Sequence, residues 1–159
     1  MNTHSDPVVP ASQFPLVSIV IPVYNGLHFI EQTVESILNQ DYPNLELVLV
    51  DGGSTDGCVE WIAQRADPRI RTAYLPEGTH AATTWTHACE LANGTFIKMM
   101  GQDDLLAPTA LSEQVAALQA HPTAGMATGL RTIIAADGST LFRNRGLKGL
   151  HDGLNAGQA

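Results

Sequence analysis

Short apolar runs alternate with amphipathic stretches along most of this chain. The first run, Leu16 to Ile21, is β-branched and too continuous for a strand with one wet face, so it predicts a central strand. Pro22 is expected to close it, because proline cannot donate to a ladder. Leu27, Ile30, Val34, Ile37 and Leu38 then recur at helical spacing, and Asp41 to Asn44 ends that helix. A second strand, Leu45 to Val50, stops at Asp51. The turn from Gly52 to Gly57 leads into a helix with Val59, Ile62, Ala63 and Ala66 on one face. Arg69 to Leu75 reads as a third strand whose polar positions suit a sheet edge. The next helix carries Ala81, Trp85, Ala88, Cys89 and Ala92 along one stripe and stops at Asn93-Gly94.

Thr95 to Met100 has the length and composition of a buried fourth strand, and it runs into two adjacent carboxylates, Asp103 and Asp104. Pro108 is expected to open another helix, with Leu111, Val115 and Leu118 inward. A hairpin follows, Gly125 to Ala135 and Ser139 to Phe142 about Asp137-Gly138. Strand and helix in alternation predict an α/β fold, a mostly parallel sheet with helices on both faces.

Composition narrows the partners. The chain has 159 residues, 44% of them hydrophobic, enough for one core. A net charge of -8 argues against nucleic acid as a partner, so a phosphate ligand needs a local cation. Cys58 and Cys89 lack metal-ligand spacing and suit reduced thiols in a cytoplasmic protein. Residues 1–15 read as a disordered leader, residues 144–159 as an irregular tail, and no run is long enough for a membrane span.

Ligands of open α/β sheets gather outside the carboxyl ends of the strands, where Tyr24, Asp51 and the pair Asp103-Asp104 are expected. The dinucleotide fingerprint is absent, since Pro22-Val-Tyr-Asn-Gly26 follows the first strand. A P-loop and a nucleophile elbow are missing too. Phosphates are then expected on a metal, Mg²⁺ or Mn²⁺, held by hard carboxylate oxygens. The plain alternatives are that Asp103 or Asp104 caps the next helix, that Asp51 orders the Gly52-Gly53 turn, and that Tyr24 covers the sheet.

The combination VSIVIPVYNG, LELVLVDGGSTDG, Ala92-Asn93-Gly94 and FIKMMGQDDLLAP resembles the family-2 glycosyltransferases, inverting enzymes of the GT-A fold. The resemblance covers about Leu16 to Phe142 and implies a nucleotide-diphosphate sugar as donor. It places Pro22, Val23 and Tyr24 against the nucleobase, Asp51 toward base and ribose and Asp103 at the diphosphate, and counts Gly52 and Gln102 among the nucleotide-sugar-binding residues. Asp103 matches the last acid of the family's Asp-x-Asp motif, a divalent-metal ligand, and Asp104 supports it. An acceptor hydroxyl on a glycan or lipid-linked molecule, often in polysaccharide biosynthesis, is the family's second substrate.

Three departures stand out: Gly52 where many relatives have a second Asp, Gly101 in place of the first acid of Asp-x-Asp, and Thr84-Trp85-Thr86 where Asn is common. Trp85 reads as core. His80 and His87 read as solvated on one helix face, with a phosphate contact as a lesser role for His80. Neither Asp137 nor Asp152 matches the catalytic base, so residues 16–143 are read as the donor-binding part of a truncated enzyme. The alternative is a nucleotide-binding module without transfer activity. A nucleotidyltransferase is disfavoured, because the first loop lacks glycine-rich, cationic character.

Overall fold

The computed structural model describes residues 14–146. The leader expected before Leu16 and the tail expected after Arg143 fall almost wholly outside that range. The described chain divides into two compact units, one reaching Thr109 and the other starting at Ala110.

The first unit is β1 (Val17–Val23), α1 (Leu27–Leu38), β2 (Leu45–Asp51), α2 (Cys58–Ala63), β3 (Ile70–Tyr74), α3 (Ala81–Glu90) and β4 (Phe96–Met99). Its four strands are parallel in the order β3-β2-β1-β4. The crossovers through α1 and α2 step one way along the sheet and the crossover through α3 steps back. Right-handed connections therefore put α1 and α2 on one face and α3 on the other. Val20, Val48 and Val50 pack with Ala88 of α3, and Trp85, Cys89 and Ala92 join them. The stripe read from the sequence is thus the core face of α3 except at Ala81, which is exposed, and Thr84 is buried in addition. Ile19, Ile21, Leu47 and Leu49 alternate with those valines and point to the opposite face, all fully buried. α1 buries Ile30, Val34 and Ile37 of its predicted stripe together with Thr33, while Leu38 is half-buried and Leu27 exposed.

Pro22 does not end β1. The ladder to β4 stops at Val20 with Met99, and Met100 N donates to Val20 O at 3.2 Å. In a parallel strand alternate residues address opposite neighbours, so Pro22 faces the side where β4 has already finished and its missing N–H breaks no rung. Val23 faces β2 and accepts from Gly52 N at 2.8 Å. The expectation of a buried fourth strand also fails. Among the described residues β4 has a neighbour on one side only, and Ile97 and Met99 are 49% and 57% exposed. α2 is shorter than its apolar pattern, ending at Ala63 before the Asp67-Pro68 turn.

The second unit consists of α4 (Ala110–Ala120) and an antiparallel hairpin, β5 (Arg131–Ile134) with β6 (Thr140–Arg145). Gly138, at φ +80°, makes the predicted turn, and β6 runs past Phe142. Leu111 and Val115 of α4 are buried as expected.

Candidate functional site: the carboxyl ends of the parallel strands

At the carboxyl ends of β1 and β2 the two following loops are sewn together by side chains that the sequence presents as GGSTDG and YNG. Asn25, at φ 48°, donates through its N–H to Ser54 Oγ at 2.9 Å and accepts from Thr55 N at 2.9 Å. Asp56 accepts from Leu27 N at 2.8 Å and from Cys58 N at 3.0 Å, so one carboxylate starts both α1 and α2. Asp51 is 1% exposed, and its Oδ1 accepts from Gly53 N and Ser54 N, both at 2.8 Å, while Ser54 Oγ donates to Oδ2. Its observed contacts are therefore those that order the turn. Cys58 lies beneath this lattice, where burial pushes its thiol up to about 11. Such a thiol is inert, and both cysteines are free.

Tyr24 stands clear of the lattice with 56% of its surface exposed. Its backbone is held by Gln102: Tyr24 N donates to Oε1 at 2.8 Å and Nε2 donates to Tyr24 O at 3.0 Å. Thr33 Oγ1 of α1 donates to Gln102 O at 2.8 Å. A side chain at Gly26 would collide with the Gln102 amide, whose Oε1 lies 2.4 Å from the missing Cβ position. Gln102 thus brings the ends of β1 and β4 together and aims the tyrosine.

Asp103 and Asp104 are both exposed, and α4 begins six residues beyond Asp104, so neither occupies the position just before that helix. The missing Cβ of Gly101 would lie 3.0 Å from Asp103 Oδ1 and 3.0 Å from Asp104 Oδ2. Gly101 N donates to Asp104 Oδ2 at 3.2 Å. Two hard oxygens from different residues therefore converge on a cradle that any side chain at 101 would fill. Among the described residues no group of three or more metal-type side chains gathers. A pair is the number that Mg²⁺ or Mn²⁺ accepts when substrate phosphates and water complete the shell, so these residues fit such an ion. Lys98 is a cationic residue near this pair. Burial draws its pKa below the ordinary lysine value and the Asp104 carboxylate pulls back up. A lysine inside an otherwise apolar strand was the signal for it in the sequence.

His80 is exposed, as read, but it stands just before the helix rather than within it. Its Nδ1 accepts from Ala82 N at 3.2 Å and caps α3, while His87 pairs with Glu90 at 3.6 Å.

A single buried carboxylate, Glu46, sits at the opposite, amino end of the sheet. Ser18 Oγ donates to Glu46 Oε1 at 2.6 Å, Asn93 N donates to the same oxygen at 2.7 Å, and Arg71 pairs with Oε2 at 3.4 Å. Burial opposes ionisation of Glu46, yet the hydrogen bonds from Ser18 and Asn93 and the charge of Arg71 together outweigh it and hold the pKa below the ordinary glutamate value. Gly94 N donates to Ser18 Oγ, and a Cβ at Gly94 would strike the β1 backbone. Ala92-Asn93-Gly94 is therefore a packing motif.

An all-parallel sheet whose strand ends carry a presented tyrosine and paired acids defines an α/β domain of the GT-A type. The chain belongs to Glycosyl transferase family 2, which it matches over residues 18–157. It is 36% identical over 129 residues to the putative teichuronic acid biosynthesis glycosyltransferase TuaG of Bacillus subtilis (strain 168), covering 80% of this chain and 51% of TuaG. The mannosyltransferase PcManGT from Pyrobaculum calidifontis, solved with GDP-Man and Mn²⁺, superposes with a TM-score of 0.62 at 32% identity, over 70% of this chain and 34% of that one. S. aureus TarS 1-349, solved with UDP-GlcNAc, gives 0.61 at 25% identity, over 67% and 32%. This chain thus spans about half the length of TuaG and a third of the solved chains. No helix of the described residues is long and apolar enough to cross a membrane.

Proposed function

We propose that this chain carries the donor-binding part of a metal-assisted, inverting glycosyltransferase that takes its sugar from a nucleotide diphosphate. The observation that carries this reading is the convergence of Asp103 and Asp104 on the Gly101 cradle, beside an exposed Tyr24 fixed by Gln102. Tyr24 forms the platform on which the base stacks, with Pro22 beside it, while the fully buried Val23 supports it from beneath. Asp51 and Gly52 shape the turn along base and ribose, and Gln102 with Asp103 meets the diphosphate. Asp103 holds the cation, and Asp104, anchored on Gly101 N, steadies the same oxygen cluster. A divalent ion bound there offsets the negative charge that grows on the departing nucleoside diphosphate. A single displacement by an acceptor hydroxyl inverts the anomeric centre and needs a carboxylate base, which no described residue is assigned to be.

The names of the relatives support a donor of this class: PcManGT was solved with GDP-Man and TarS with UDP-GlcNAc. TuaG is a putative teichuronic acid biosynthesis glycosyltransferase, which supports a glycan as acceptor. Family membership favours transfer over a module that only binds nucleotide.

Calorimetric titration with UDP, dTDP and GDP, each with Mn²⁺, Mg²⁺ or chelator, tests the reading. Binding of one nucleotide that requires the metal is the expected result. Binding that ignores both metal and chelator would remove Asp103 from the site.

A further inference from the structure

The turn after β2 is side-chain-free on its outer side, and that has drawn a neighbouring loop onto it. Gly53 has φ +92°, and a Cβ there would lie 2.3 Å from Glu77 Cα and 2.6 Å from Glu77 N. A Cβ at Gly52 would lie 3.1 Å from Thr84 Oγ1 of α3. Leu75 N donates to Asp51 O at 2.8 Å, which seats the start of the same loop. The segment from Leu75 to Thr84 therefore presses directly on the carboxyl end of β2.

Three acids lie at this end of β2 and β3. Asp51 and Asp56 are committed to backbone N–H groups and, for Asp51, to Ser54. Among the described residues Glu77 is exposed and has no hydrogen-bond or ion-pair partner. With the order β3-β2-β1, Tyr24 and the Glu77 loop flank the Gly52-Gly53 turn from opposite sides. Adjacent strands lie about 4.8 Å apart, so the ends of β1 and β3 are about 10 Å apart, the width of a nucleobase plus one hydrogen bond.

Resting on the donor site described above, we infer that Glu77 is a specificity-determining residue that accepts a hydrogen bond from the ring N–H of the nucleobase. The Gly52-Gly53 turn is what brings its loop within reach. A carboxylate acceptor selects uracil, thymine or guanine, whose ring nitrogen carries a proton, over cytosine and adenine, whose corresponding nitrogen does not.

The test is calorimetric titration of the protein, Glu77→Ala and Glu77→Gln with UDP, GDP, CDP and ADP in the presence of Mn²⁺. Loss of a charge-assisted hydrogen bond weakens the preferred ring-N–H nucleotide about tenfold to a hundredfold in Glu77→Ala. Glu77→Gln recovers part of that loss, CDP and ADP are unchanged, and the melting temperatures of both variants stay at the wild-type value because the residue is exposed. An equal loss for all four nucleotides, or none for any, overturns the assignment while leaving the donor site standing. Failure of the unmodified protein to bind any nucleotide overturns the donor site and this inference with it.

Discussion

At the amino end of the sheet Glu46 is 8% exposed and its oxygens are taken up by Ser18, Asn93 and Arg71. At the carboxyl end Asp103 and Asp104 are exposed, and their oxygens converge on the empty side of Gly101. Both places pair carboxylates with a glycine, yet the glycines do opposite work. Gly94 lets one backbone touch another, whereas Gly101 lets two exposed carboxylates close in on the side that a side chain would occupy. A buried acid must be satisfied internally or it destabilises the fold, while an exposed acid can wait for a ligand. Satisfaction, more than the presence of charge, separates scaffold from site here.

The same substitution at the two glycines should break this comparison most visibly. Gly94→Ala forces a Cβ to 2.6 Å from Ser18 N and 2.7 Å from Leu16 O, both backbone atoms. We expect a loss of about 3 kcal/mol, read from the urea midpoint. Gly101→Ala meets only the ends of exposed carboxylates that can swing aside, so its stability cost stays under about 1 kcal/mol, although it fills the cradle. A comparable cost at both positions would erase the distinction.

Glu46→Gln comes next. It turns one acceptor into a donor facing Asn93 and Arg71, and about 2 kcal/mol should be lost. The pH dependence has a definite sign. The folded pKa of Glu46 lies below its ordinary value of 4.5, so its contribution is complete above pH 4.5 and fades as the pH falls through the lower folded value. Thermal melts of the wild type should therefore lose stability below pH 4.5 more steeply than those of Glu46→Gln. Parallel pH profiles would show that Glu46 is not held in its ionised form. Gln102→Ala removes two hydrogen bonds to Tyr24, in an exposed setting, and should cost about 1 kcal/mol while weakening nucleotide binding by roughly tenfold.

The alternation of strands and helices, the stripe on α3 and the hairpin turn were legible because burial imposes periodicity on the residues themselves. The strand edge was not. Thr95 to Met100 is apolar enough for a sheet centre, and only the pairing shows that β4 has a neighbour on one side among the described residues. Pro22 was misread as a terminator because its missing donor matters only where a neighbouring strand still runs. In the site, Asp103 and Tyr24 were visible as residue types at strand ends. The clamp by Gln102, the stitching of two loops by Asn25 and Asp56, and the pressing of the Glu77 loop onto Gly53 join residues distant in sequence, so no local pattern announces them. Glu46 left a trace, a single acid in LELVLV, as Lys98 did in its strand; each broke an apolar run where partners had to be supplied by the fold.

The most direct measurement sets Asp103→Asn beside Glu46→Gln, with the melting temperature and Mn²⁺-dependent nucleotide binding read for each. Asp103→Asn should melt with the wild type and lose metal-dependent binding, while Glu46→Gln should melt lower and, below its melting point, bind nucleotide with wild-type affinity. If Asp103→Asn keeps its metal-dependent binding, or Glu46→Gln loses it while still folded, the division of the sheet into a scaffold end and a donor end is wrong.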